Sequence, residues 1–295
     1  MRCPTRLLSQ ASLPNPPPMN PIPIDVRPLF QPLQTKLIEL LKSLSEEDWQ
    51  KQTVAKKWKV KDVASYMLDT QLRVLSMQRD GYFGEQAPEI NGYQDMVAWL
   101  NQLNHDWVHV TKRLSPQVLV LLLESIGDLV TSYYLSLKPW EEAMFSVAWA
   151  GEASSHNWMH LAREYTEYWH HQQQIRDAVG KQAIMTREFF YPVMDTFFQA
   201  LPYTFRDIEA EAGSLIKVHI SSEAGGTWHV LRASDRWQLT AQARSVPAAS
   251  VTIPFDLAWI LFSKSIRPHE IMDKIEIQGD AALGRKVLEM VSVMA

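Results

Sequence analysis

Five side chains suited to metal binding or proton transfer recur along one stretch, SHNWMHLAREYTEYWHHQQQIRDAVG at 155–180. His156, His160, Glu164, Glu167 and His171 follow one another at steps of four, four, three and four. At about 100° per residue, a helix keeps them within roughly 80° of arc. Imidazole and carboxylate are ligands for zinc, nickel, iron and manganese. Glu167-x-x-x-His171 is the tightest pairing, one helical turn apart and able to aim both groups at one point. A solvated, hydrogen-bonded face has the same spacing, so the pattern leaves both readings open. His170, about 100° round from His171, belongs to another face and reads as a surface or packing residue.

Such a face needs a helix, and the helix needs a core to lie against. The chain has 295 residues, 46% of them hydrophobic, with 11 tryptophans. That is material for one large domain or two ordinary ones. The net charge of −4 and the lack of a long basic run argue against a nucleic-acid partner. No run reads as a membrane span, since VLVLLLESIGDLV is short and broken by Glu124 and Asp128. The single cysteine, Cys3, leaves no disulfide framework and suits a reducing cytoplasm. Any thiol chemistry in the folded region must therefore use a thiol carried by a small molecule.

Seven prolines within residues 4–23 exclude helix and central strand, so residues 1–25 read as a disordered tail, and Met19 is a candidate start. Pro28 opens a helix with Phe30, Leu33, Leu37, Leu41 and Leu44 on one face. A second helix from Lys61 turns Val63, Tyr66/Met67, Thr70, Val74 and Met77 inward. Residues 80–92 read as loop. A third helix, 93–114, is expected to bury Leu100, Leu103, Trp107 and Val110, with His105 and His109 a solvated pair. Ser115-Pro116 caps a helix to Ser136 that is apolar on most sides and should be central. The histidine helix, closed by Gly180, completes an antiparallel bundle over 26–181.

Beyond Lys181 the pattern changes. Residues 185–201 predict a helix with Pro192 as a kink. Strands follow at 215–220, 227–232, 236–241, 251–253 and 274–278, with helices after Pro254 and Asp280. Residues 182–295 thus read as a small α+β domain. Trp228, Trp237, Trp259 and Phe262 are candidates for an apolar groove or, more simply, for its core.

Three motifs carry a family resemblance: Trp58-x-Val60-x-Asp62-Val63, Asp69-Thr70-x-Leu72-Arg73, and ARE-x-TE-x-WHHQQQIRDAVG at 162–180. They resemble the DinB-like superfamily, and within it the proteins named for mycothiol-dependent maleylpyruvate isomerase. The ending KIEIQGDAALGRKVLEMV is similar to that group's C-terminal domain, which is related in fold to sterol carrier proteins. The resemblance covers about 25–295. It implies an antiparallel four-helix bundle followed by a sterol-carrier-like α+β domain, and a divalent metal, usually zinc, held by one His and a Glu-x-x-x-His. Glu167 and His171 match the second element. Tyr66 stands where the family has its first histidine. A neutral phenol is a poor ligand near pH 7, although a metal can lower a ligand's pKa.

Two functions follow as expectations. In one, Glu167, His171 and Tyr66 hold a metal that activates the thiol of a small cofactor for isomerisation or S-transfer on an electrophilic substrate. Gln174 and His160 then support the site from outside; His160 could also reach the ion in place of Tyr66, but its distance of roughly 16 Å along the axis makes joint ligation with His171 implausible on a straight helix. Arg176 and Arg285 are candidate anchors for a substrate carboxylate. In the other, the site is degenerate and the bundle is a non-catalytic binding module. A cytoplasmic protein without membrane or nucleic-acid partner, and a possible homodimer, complete the reading.

Overall fold

The computed structural model describes residues 21–84, 86–241 and 245–292. Residues 1–20 of the expected tail, with Cys3 and Met19, lie outside the described residues. Ile24, just inside the expected tail, is buried in the core.

A turn at Arg27–Leu29 leads into α1, Phe30–Lys42, which buries Phe30, Leu33, Leu37 and Leu41 at the predicted spacing. The short α2, Glu46–Gln50, is started by a reciprocal Ser45–Asp48 cap. Next, α3 runs Val60–Arg73 and widens into a π-helical stretch at Val74–Arg79, where the Asp80 amide donates to the Leu75 carbonyl. The next helix is α4, Tyr93–Thr111. The Ser115 hydroxyl caps α5, Pro116–Ser136. The long α6, Asn157–Val179, ends at Gly180, whose φ of 68° is the left-handed conformation a helix C-terminus favours. Helices α1, α5, α3 and α6 form the bundle, each touching the next, and α4 packs outside against α3.

Two expectations about packing need correction. On α4 the buried aliphatic residue is Val108, whereas Val110 is exposed. The apolar α5 is not central. Leu119, Leu123, Val130 and Tyr134 face the bundle, but Val118, Leu121, Leu122, Leu129 and Leu135 face outward. By length and composition α5 is also the one described helix that could cross a membrane, contrary to the sequence expectation.

The remainder is α7, Arg187–Phe197, which accommodates Pro192 within it, then α8, Leu201–Thr204. A five-stranded sheet follows, from β1 (Leu215–Ile220), β2 (Gly226–Arg232), β3 (Trp237–Thr240), β4 (Ala249–Ile253) and β5 (Glu276–Gly279). Its order is β3-β2-β1-β4-β5, with only β1 and β4 parallel. Helix α9, Phe255–Phe262, follows β4, and α10, Ala281–Val287, follows the Asp280 cap. Trp228, Trp237, Trp259 and Phe262 are all buried, as core residues rather than the walls of an open groove.

One hydrophobic core joins the halves. Trp169 of α6 meets Trp259 of α9 edge to face at 6.2 Å and Phe190 of α7 at 5.7 Å. Trp169 Nε1 donates to the Ile184 carbonyl and the Tyr165 hydroxyl to that of Phe189. A second cluster at the far end gathers Leu37, Leu41, Trp49, Val63, Met67, Leu123 and Ile175.

Candidate active site

The predicted stripe on α6 divides into two groups. The lower one holds Glu167 and His171. His171 Nε2 faces Glu167 Oε2 at 3.3 Å, and its Nδ1 lies 3.0 Å from Gln174 Oε1. The pair is open to solvent, with 33% of the Glu167 side chain and 14% of the His171 side chain exposed. Tyr66 on α3 completes it. Its ring meets the His171 imidazole with centroids 4.6 Å apart, backed by Trp58 at 4.9 Å. Burial, and then the Glu167 carboxylate, push the Tyr66 phenol above its ordinary value, so it keeps its proton. Gln174 therefore lies where the sequence places it, against His171. His170 is the packing residue of the two alternatives the sequence left open, buried between Gln174, His171 and Trp259.

The upper group is separate. His160 lies seven residues before Glu167, about 10 Å along the axis at 1.5 Å per residue. Its Nδ1 accepts from Arg163 Nη2 at 2.7 Å, since guanidinium has no acceptor, and its Nε2 therefore donates to Gln78 Oε1 at 2.9 Å. Burial lowers its pKa to about 4, which keeps it neutral. Glu164 accepts from Tyr134 Oη and Arg163 Nη2, each at 2.8 Å. Burial raises its pKa, but Arg163, His160 and Tyr134 together bring it below the ordinary carboxylate value. His160 is thus no substitute ligand beside His171; it borders a cleft of about 470 Å³ with Gln78, Tyr133, Glu142 and Met144. His156 is the exposed residue preceding α6 and takes no part.

Among the described residues, neither of the two candidate anchor arginines has a hydrogen bond to Glu167 or His171. Arg176 is buried and donates to the carbonyls of Lys36 and Lys181 and to Gln172 Oε1, tying α1 to the end of α6. Arg285 is exposed on α10. Asp69 and Arg73, which the sequence marks only as part of a family motif, lie one and two turns beyond Tyr66. They are paired at 2.6 Å, with Arg73 also bonded to Asn104. The i, i+3, i+7 spacing from Tyr66 could have pointed to them.

The donor chemistry fits a divalent cation in part. An imidazole nitrogen and a carboxylate oxygen face each other with Nδ1 engaged elsewhere, as two ligands of one ion would. Among the described residues no third His, Cys, Asp or Glu joins them. The remaining positions on such an ion would fall to solvent and to a small ligand.

A helical bundle and a sheet domain are joined by one core, and α6 of the bundle carries the Glu-x-x-x-His pair. Residues 30–176 match the family described as mycothiol maleylpyruvate isomerase N-terminal domain. The helical half of the chain belongs to that family. Among solved structures, the mycothiol-dependent maleylpyruvate isomerase aligns at TM-score 0.51 and 10% identity, over 86% of this chain and 92% of that one. A mutant of the same enzyme aligns at 0.52, with the same identity and coverage. At that identity the likeness shows the fold. Sterol Carrier Protein 2 Like 2 from Aedes aegypti covers 33% of this chain and 95% of its own at 18% identity, but its TM-score of 0.26 is too low to support an argument. No curated protein matches the chain.

Proposed function

We propose that the chain is a metal-assisted isomerase or S-transferase that uses a small-molecule thiol. The observation that carries this reading is the Glu167–His171 pair, 3.3 Å apart and open to solvent beside Tyr66. Membership of the helical half in a family named for a mycothiol enzyme supports it.

Glu167 and His171 would hold a divalent ion, zinc being the natural choice for this donor set. When bound, the ion would lower the pKa of a thiol and supply a thiolate near pH 7. Gln174 holds the His171 ring from behind, leaving its other edge toward Glu167. Tyr66 keeps the proton on Oη, so it can donate a hydrogen bond to a negatively charged oxygen of the substrate. Trp58 and the Tyr66 ring cover one side and limit water. With Cys3 the only cysteine, the nucleophile comes from a small thiol. Its addition to an activated alkene, rotation about the resulting single bond and expulsion of the thiolate would isomerise the alkene. Retention of the new C–S bond, with a proton from solvent taken up by the neighbouring carbon, would be S-transfer.

Elemental analysis of untagged protein prepared without chelator tests the metal, and thiol-dependent turnover of activated alkenes tests the reaction. Glu167→Ala and His171→Ala should each strip the ion. Metal content unchanged by both would overturn the reading. The second reading, a non-catalytic binding module, is favoured by Tyr66 in place of a third strong donor. It predicts no metal in the native chain and metal in Tyr66→His.

A further inference from the structure

The Gln174 amide stands between two imidazoles. Its Nε2 lies 2.9 Å from His170 Nε2, and its Oε1 lies 3.0 Å from His171 Nδ1. An amide nitrogen donates and an amide oxygen accepts. His170 Nε2 is therefore the acceptor, and His171 Nδ1 carries the hydrogen. A neutral imidazole has one N–H, so His171 Nε2 presents a lone pair. The atom opposite, Glu167 Oε2 at 3.3 Å, also offers lone pairs. That separation is longer than the roughly 2.7–2.9 Å of a charge-assisted N–H···O bond. Two electron-pair donors facing each other in this way leave a place for a cation.

Turned end for end, the same amide would make a different site. Its nitrogen would donate to His171 Nδ1, and His171 Nε2 would carry the hydrogen and give it to Glu167. The pair would then be closed on itself. The orientation of one amide decides whether His171 is a ligand or a hydrogen-bond donor.

The bond between the amide and His170 is packed beneath the second domain. Gln174 is 4% exposed and His170 5%, so bulk water does not compete for either. The His170 ring is wedged between Trp259 of α9, at 5.6 Å, and His171, at 5.2 Å. Its Nδ1 is buried without a hydrogen-bond partner among the described residues. The bond to Gln174 is thus the polar contact through which the ring is engaged.

We propose that Gln174 and His170 are positioning residues which hold His171 as its Nδ1–H tautomer and so keep Nε2 a ligand for a divalent cation. Trp259 makes the second domain part of that device. The proposal rests on reading Glu167 and His171 as a cation site, but its first readout needs no cation.

The experiment uses the full chain labelled with 15N-histidine, metal-free and at alkaline pH, where imidazoles are neutral. Long-range proton–nitrogen spectra distinguish the two tautomers. Zinc alone is then titrated against a competing chelator. His171 is expected as Nδ1–H in the native chain and in Gln174→Glu, whose carboxylate still accepts. It is expected as Nε2–H in Gln174→Leu, with zinc bound about 10–100-fold more weakly than by Gln174→Glu. The Nε2–H form in the native chain would overturn the proposal, and this requires no variant to fold. An Nδ1–H form that persists in folded Gln174→Leu would overturn it equally. If the native chain shows Nδ1–H but takes up no zinc, the cation site falls while the tautomer control stands.

Discussion

The Tyr66 ring meets the His171 imidazole edge-on, with centroids 4.6 Å apart and planes inclined at 65°. A histidine in place of Tyr66 would put a neutral nitrogen donor beside the two that exist. Tyr66→His should therefore bind zinc at least about tenfold more tightly than the native chain, by the scale on which single ligand and support contacts act. Tyr66→Phe, which keeps the ring and loses Oη, should change the affinity little. Chelator competition measures all three, and equal affinities would show that Tyr66 does not border the ion.

His160 gives a pH dependence of definite sign. Its pKa is about 4 in the folded chain against an ordinary 6.5. Above 6.5 both states are neutral and the group contributes nothing. Between 6.5 and 4 only the unfolded chain takes up the proton, so stability falls as pH falls. At about 1.36 kcal/mol per pKa unit, the loss between pH 7 and 5 is roughly 2 kcal/mol. Glu164 adds to the acid loss lower down, because its depressed pKa stabilises the fold above the ordinary carboxylate value and that stability goes as it is protonated. Urea unfolding at both pH values should show a smaller drop for His160→Gln. An equal drop would mean that His160 is not held neutral.

Gly127 lies on the inner side of α5, where an added Cβ would run into the Gln34 amide. That amide donates to the Leu123 carbonyl at 3.0 Å and accepts from the Tyr168 hydroxyl. Alanine is the better helix former by about 1 kcal/mol, yet Gly127→Ala should destabilise by about 1–2 kcal/mol, because crowding and broken hydrogen bonds outweigh that gain. Chemical denaturation decides the sign.

The two arginines should behave oppositely to a substrate-anchor role. Arg176→Met strands two carbonyls and Gln172, and should cost about 2–4 kcal/mol of stability. Arg285→Met, on the exposed face of α10, should stay within about 0.5 kcal/mol. Neither should raise the KM of a substrate carrying a carboxylate.

Periodicity made the frame legible. The helices of the bundle and all five strands stand near their predicted positions, because apolar spacing and the caps at Ser115, Gly180 and Asp280 are local signals. Glu167, His171 and Gln174 were legible for the same reason, lying within two turns of one helix. Arg176 misled because its type suggested a carboxylate, whereas its partners are backbone carbonyls brought near only by folding. His160 misled because a shared helical face says nothing of what a neighbouring helix supplies, here Gln78. The outward side of α5 was hidden too, since an apolar helix looks alike in the middle of a bundle and at its edge.

The single core through Trp169, Phe190 and Trp259 has a consequence for how the molecule comes apart. Neither half can be removed without baring aromatic faces of the other, so heating should melt both together in one calorimetric peak. A chain cut after Gly180 would carry Trp169 and His170 uncovered and should aggregate rather than persist as a free bundle. The link between the two parts of this protein is thus not a tether but a joint seam, and damage on either side of it is felt by the whole.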